Sequence, residues 1–344
     1  MPLVLPKDHP YPHERPSADG PRLRLPVEMG VSASVETDAR LLPEERAPEA
    51  YSRSLRSGAT RPPAAARGSA GDGTPMSTGR LRVGIVNVMP KLEAYEPLLL
   101  GPLSRLEARI EPVFVRLESH AYQSSDQAHL ERFYRPLKAH LEQGPLDALI
   151  LTGAPVEELE LEDVHYWSEL CDVLLYAREH VPSTLGLCWG GLALPGLLGI
   201  PKSPLPKKLF GVFENRTTAP EHPLVAGQKT VFPCAHSRHS GIADAELERA
   251  EREGTVRLLS HSSETGYAMF ASSDGRYVAH LGHPEYVAER LAFEWKRDVG
   301  LGRTDVEPPK SFDPEAPVTS WEEHRETFFS QWIDVATSAT GQRR

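Results

Sequence analysis

Four short apolar runs alternate with helical patterns between residues 81 and 198, and this alternation constrains the fold more than any other feature. Arg82-Val83-Gly84-Ile85-Val86-Asn87-Val88 is almost continuously apolar, as a strand buried on both faces requires. Ile110 to Leu117, Asp147 to Leu151 and Ser183 to Leu187 repeat the signal. Residues 96–107, 127–142, 163–179 and 189–198 carry apolar side chains at helical spacing. Strands alternating with helices predict an α/β fold, a mostly parallel sheet with helices on both faces. Beyond Lys207 the rhythm shortens. Residues 209–213, 229–232, 256–260, 266–271 and 277–281 read as strands of an antiparallel or mixed extension, with helices at 289–299 and 321–335.

The first 80 residues differ. They are rich in proline and carry only Tyr11 and Tyr51 as aromatics, too little apolar surface to offset chain entropy. The expected organisation is a disordered extension over 1–80, one folded domain over 81–338 and a flexible tail over 339–344. Met76, just ahead of the first strand, is a candidate alternative start. The formal charge of −10 argues against a general nucleic-acid or anionic-membrane binder. No apolar run approaches the roughly 18 residues of a membrane span, and the first residues lack a secretory core. Cys171, Cys188 and Cys234 form no Cys-x-x-Cys pair. A reducing, cytoplasmic compartment is expected, without a disulfide framework.

Thr184-Leu185-Gly186-Leu187-Cys188-Trp189-Gly190-Gly191 reads as a strand, a sharp turn and a helix start. Gly-x-Cys-x-Gly resembles a nucleophile elbow with sulfur in place of oxygen. A cysteine ending a strand also suits plain core. A later strand runs into Gly282-His283-Pro284-Glu285. In open sheets, sites gather at the carboxyl ends of strands. Cys188, a base in His283 and an orienting carboxylate in Glu285 together make a triad. Cys234 with His236 and His239 is a weaker, metal-like grouping, and no metal is expected.

The elbow followed by His-Pro-Glu resembles the class I glutamine amidotransferase-like pattern, which implies a flavodoxin-like sheet. Residues 81 to about 335 resemble, more specifically, the homoserine O-acyltransferases of methionine biosynthesis. The matching segments are Val88-Met89-Pro90-Lys91, Leu151-Thr152-Gly153-Ala154-Pro155-Val156-Glu157, Tyr166-Trp167, Cys188-Trp189 and Gly199-Ile200-Pro201-Lys202. Lys208-Leu209, Gly211 to Glu214, Ala235-His236-Ser237-Arg238, Gly282 to Tyr286 and Arg297-Asp298 complete the set.

The resemblance implies ping-pong chemistry. Cys188 takes the acyl group from an acyl-CoA, His283 is the general base, and Glu285 orients it. Backbone N–H groups of Trp189 and of a residue near 152–154 hold the oxyanion. Lys208, Ser237, Arg297 and Lys91 bind substrate. A glutamate at position 157 accompanies acetyl transfer in the family, because a like charge repels a succinyl carboxylate. The expectation is therefore a homoserine O-acetyltransferase with acetyl-CoA as co-substrate, no resident cofactor and a homodimeric state. The alternatives are succinyl-CoA as donor, L-serine as acceptor, a glutamine amidotransferase-type hydrolase, or a binding module without turnover. The chain departs from the family pattern at Leu92 to Pro97, at Gly190-Gly191-Leu192 and at Asn215.

Overall fold

The computed structural model describes residues 3–11 and 79–341. The chain forms β1 (Arg80–Val86), α1 (Leu92–Ser104), β2 (Arg109–Val115), α2 (Gln127–Phe133), α3 (Leu137–Leu141) and β3 (Ala148–Leu151). Then follow α4 (Trp167–His180), β4 (Thr184–Leu187), α5 (Trp189–Gly196), β5 (Ser203–Thr217), β6 (Val231–Gly241) and α6 (Asp244–Arg252). The last elements are β7 (Val256–Ser262), β8 (Gly266–Ser272), β9 (Tyr277–His280), α7 (Ala288–Gly300) and α8 (Glu322–Gly341).

All nine strands share one sheet, in the order β2-β1-β3-β4-β9-β8-β7-β5-β6. The half from β2 to β9 is parallel, and the half from β9 to β6 is antiparallel. The expected α/β sheet with a mixed extension is present. Side chains leave the parallel strands alternately to two cores. Val83, Ile85, Ile150, Leu185 and Leu187 meet α1 and α8 on one face. Val86, Leu149 and Leu151 meet Leu170, Leu174 and Trp189 of α4 and α5 on the other. Burial on both faces is why these strands are nearly all apolar.

Several boundaries depart from the sequence expectation. The helix expected over 127–142 is two short ones. Pro136 starts the second, and the chain before it is extended at Tyr134, with Arg135 bridged to Val115 of β2. Helix α6 has no counterpart in the expected elements. β5 and β6 are much longer than their apolar runs, and their central residues reach back over the carboxyl ends of β4 and β9. There Ala235 O accepts from His283 N–H at 2.8 Å. α8 runs to Gly341, into the stretch expected to be a flexible tail.

Residues 3–11 lie within the stretch expected to be disordered, and they are docked. Leu3 pairs with Ile110 on edge strand β2, and Val4 N–H donates to Ile110 O at 2.7 Å. Leu3, Leu5 and Tyr11 enter the core beside α1. His9 stacks on Phe114 and sets Nε2 3.0 Å from Glu96 Oε2. Glu96 also receives His129 Nε2 and Tyr134 OH, each at 2.8 Å. Burial raises the Glu96 carboxyl, but the His129 and His9 bonds outweigh it and hold the group below its ordinary value. An unpaired sheet edge offers backbone partners to a segment too short to fold alone. Residues 12–78, including Met76, lie outside the described residues.

A chain started at Met76 lacks this strap. Burying one Leu or Tyr side chain is worth about 1.5–3 kcal/mol. The truncated chain is expected to melt at least about 5 °C below the full chain in a calorimetric scan. Equal melting temperatures would mean that the docked segment contributes nothing to the fold.

Candidate active site

β4 ends at Leu187, and α5 begins one residue after Cys188. Cys188 has φ 50° and ψ −110°, a left-handed φ that a non-glycine residue holds only when its surroundings impose it. Cys188 N–H donates to His280 O on the adjacent β9 at 2.9 Å, and Cys188 O accepts from Leu192 N–H at 3.1 Å. A Cβ on Gly186 would strike Gly190 O, and one on Gly190 would stand 2.5 Å from Leu151 O. Only hydrogen fits at either place. The departure at Gly190 is therefore a close packing of α5 onto the end of β3. Trp189 opens α5 and is fully buried. The first-turn N–H groups of a helix lack intrahelical acceptors and carry the positive end of its dipole, which suits the oxyanion role assigned to Trp189.

His283 and Glu285 lie in the turn between β9 and α7, one strand over from the elbow. His283 Nδ1 is 2.7 Å from Glu285 Oε1, which leaves Nε2 for the thiol. The imidazole lies flat against Tyr286, ring centres 3.9 Å apart. A Cβ built on Gly153, after β3, would be 3.5 Å from Cys188 Cβ and 3.7 Å from His283 Cε1. The ends of β3, β4 and β9 thus meet at one point. Burial pushes the Cys188 thiol up, with His283 pulling the other way. Burial also opposes charge on His283, yet Cys188 and Glu285 hold the imidazole well above the ordinary histidine range. In so dry a site the thiolate forms with the imidazolium, as an ion pair.

The resemblance-derived substrate residues separate into two groups. Lys208 Nζ donates to Asp298 Oδ2 at 2.7 Å, and Arg297 donates to Asp298 Oδ1 through Nε at 2.9 Å and Nη2 at 2.7 Å. Ser237 Oγ donates to Glu294 Oε2 at 2.5 Å, while Ser237 O is 3.9 Å from Cys188 Sγ. Asp298 and Glu294 therefore gather three of the four, and neither carboxylate is among the site residues read from sequence. Their signal is helical spacing: Arg290, Glu294 and Asp298 recur every four residues on one buried face of α7. Burial raises Glu294, but Arg290, Arg297, Lys208 and His283 pull its carboxyl well below the usual carboxylate range. Lys91, the fourth, opens α1 with a left-handed φ of 51°, beyond the end of β1.

Glu157 faces the same centre. Its Oε2 is buried without a hydrogen-bond partner. Burial raises the carboxyl to about 7, against the His239 N–H and the charges of Lys208, Arg238 and His283. Arg238 is buried too, donating to Ser240 O and Thr265 O at 2.7 Å.

Among the described residues, two groups bring potential metal ligands together: Cys234, His280 and His324, and His9, Glu96 and His129. The grouping read from sequence, Cys234 with His236 and His239, is not among them. Gly282 N–H donates to His280 Nδ1 at 3.2 Å, and Tyr11 N–H donates to His9 Nδ1 at 3.2 Å. Both rings therefore carry their proton on Nε2, the atom turned to the group, where a metal needs a lone pair. His280 Nε2 instead reaches His324 Nε2 at 3.0 Å, and His324 Nδ1 reaches Gln228 Oε1 at 2.8 Å. Both groups work as hydrogen-bonded networks.

A strained cysteine between β4 and α5, on a sheet of this topology, defines a class of α/β proteins whose candidate site lies at the carboxyl ends of the parallel strands. Within that class the chain belongs to the homoserine O-succinyltransferase family, whose model matches residues 74–342, and it is an acyltransferase. A homoserine O-acetyltransferase of Geobacillus kaustophilus is 37% identical over 262 residues, 74% of this chain and 84% of that one. A homoserine O-acetyltransferase of Lachnoclostridium phytofermentans is 36% identical, covering 74% of this chain and 85% of its own. Among solved structures, the protein SMU.1228c is 14% identical with a TM-score of 0.50, over 75% of this chain and 100% of that one, a likeness of fold. No helix among the described residues is long and apolar enough to cross a membrane.

The raised Glu157 carboxyl has a measurable consequence. A carboxyl raised on folding stabilises the fold in its protonated form, fully below about pH 4.5, and the contribution is lost as pH climbs through about 7. From about pH 5 to about pH 8, wild type is expected to lose on the order of 2 kcal/mol more stability than Glu157→Gln. Urea titrations at the two pH values check this, and parallel losses would refute it.

Proposed function

We propose that this protein transfers an acetyl group from acetyl-CoA to the hydroxyl of L-homoserine, through a thioester on Cys188, as a step of methionine biosynthesis. The observation that carries the reading is the strained Cys188 beside His283 and Glu285, with the Glu157 carboxyl turned into the same centre. The thiol gives its proton to His283, and the sulfur attacks the thioester carbonyl. Negative charge develops on the carbonyl oxygen, beside the N–H groups of Trp189 and of the 152–154 turn. The tetrahedral centre collapses, the bond to the CoA sulfur breaks, and His283 returns the proton to that sulfur. In the second half the acceptor hydroxyl gives its proton to His283 and attacks the acyl carbon, and Cys188 leaves. One base serves both halves.

Lys208 and Arg297 carry the positive charge that an α-carboxylate needs. Asp298 already occupies the Nε–Nη2 edge of Arg297, so the acceptor meets the guanidinium through its remaining donors. Glu157 acts on the donor. A succinyl tail would bring a second carboxylate against a buried one. Because Glu157 ionises near pH 7, that repulsion is switched on as pH rises.

Incubation with acetyl-CoA and intact-mass measurement is expected to show one acetyl adduct on wild type and none on Cys188→Ala. Homoserine is expected to discharge it faster than serine. An unmodified wild-type mass, or equal labelling of Cys188→Ala, refutes the proposal. The ratio of acetyl to succinyl transfer is expected to rise severalfold from about pH 6 to about pH 8 and to be flat in Glu157→Gln. A Glu157→Gly variant is expected to gain succinyl transfer. A pH-independent ratio in wild type would remove Glu157 from donor selection.

A further inference from the structure

Glu285 is the innermost member of the triad, fully buried, and a residue outside the triad holds it. Tyr95, on α1, donates its hydroxyl to Glu285 Oε1 at 2.5 Å. The same oxygen faces His283 Nδ1 at 2.7 Å. Oε2 is buried with no hydrogen-bond partner. A carboxylate removed from water stays ionised only if donors or opposite charges replace its hydration. His283 is one such partner, but its charge comes and goes as it takes and returns the proton. Whenever the imidazole is neutral, the Tyr95 hydroxyl is the donor that does not change. Burial, the Glu285 charge and the Tyr286 hydroxyl hold Tyr95 well above the ordinary tyrosine range, so it stays a donor at any working pH.

Resting on the triad reading above, we propose that Tyr95 is a positioning residue of the active site: it fixes which Glu285 oxygen faces His283 through both halves of the reaction. Tyr95 falls within Leu92 to Pro97, where the chain departs from its family's pattern. The next residue, Glu96, is tied to His9 of the docked strap. α1 is thus held from both sides at the point where it meets the triad.

The other groups bearing on Glu285 are known. Cys188 stands across His283, Cys234 approaches from β6, and Tyr286 follows in the same turn. Arg290 of α7 lies over the Tyr95 and Tyr286 rings, 5.7 and 5.6 Å from their centres. Its Nε and Nη2 are spent on Glu294 Oε1 at 3.1 and 3.0 Å. None of these groups takes over the bond that Tyr95 makes.

Tyr95→Phe removes the hydroxyl and keeps the ring under Arg290. The test is the rate of iodoacetamide alkylation of Cys188 against pH, mapped by peptide mass, in wild type and in the variant. With that bond gone, Glu285 is no longer held with Oε1 toward His283 Nδ1, and the thiolate–imidazolium pair loses its support. The acid limb of the profile is expected to move up by about one pH unit in Tyr95→Phe. In a Glu285→Gln background, the same substitution is expected to move nothing. An unmoved limb in a folded Tyr95→Phe overturns the proposal. So does a further shift on top of Glu285→Gln, and so does a Tyr95→Phe chain that no longer unfolds cooperatively, since the hydroxyl would then serve the fold. Alkylation needs no acyl donor, so this outcome is readable even if acetyl transfer is never observed.

Discussion

The backbone at Cys188 is the constraint on which the rest depends. A left-handed φ on a side chain of this kind costs about 1–3 kcal/mol. It persists because β9 accepts the Cys188 N–H and because two glycines let α5 close against β3 and β4. The strain lifts the sulfur out of the sheet's edge and sets it above a helix N-terminus. Adjacent parallel strands then bring Gly153, Cys188 and His283 to one point, since β3, β4 and β9 are neighbours running the same way.

Burial governs the chemistry at that point. The charges around Cys188 are buried, Arg297 only in part, and answered by partners: His283 by Glu285, Lys208 and Arg297 by Asp298, Arg290 by Glu294. Pairing offsets the cost of removing these groups from water. Glu157 is the exception. Its Oε2 has no donor, and its carboxyl rises to about 7.

Two additions to the basic sheet build the site's outer wall. The β5–β6 ribbon brings Ser237 and Lys208 over the strand ends, and α7 carries the carboxylates that receive them. At the far edge the docked strap of residues 3–11 grips α1 through His9 and Glu96. The full length of the ribbon and the docking of the strap are not visible as apolar runs. β5 contains Pro204 and Pro206, and the strap is Leu3-Val4-Leu5 in a polar setting, so each depends on partners distant in sequence.

The α/β class, the two-sided burial of the parallel strands and the elbow are all legible in the amino-acid sequence. Those rest on local patterns, the period of apolar residues and glycines at fixed offsets from a cysteine. It also placed a histidine and a glutamate at the end of a later strand, because a strand's end is a local event. That β9 lies beside β4, which makes Cys188 and His283 neighbours, emerges from the three-dimensional fold alone. The fold likewise places Tyr95, Glu294 and Asp298 around the site, brings residues 3–11 into the core and breaks 127–142 at Pro136. Strand order and buried ion pairs are set by long-range packing. A residue such as Tyr95 carries no sign of its role until the fold lays α1 against Glu285.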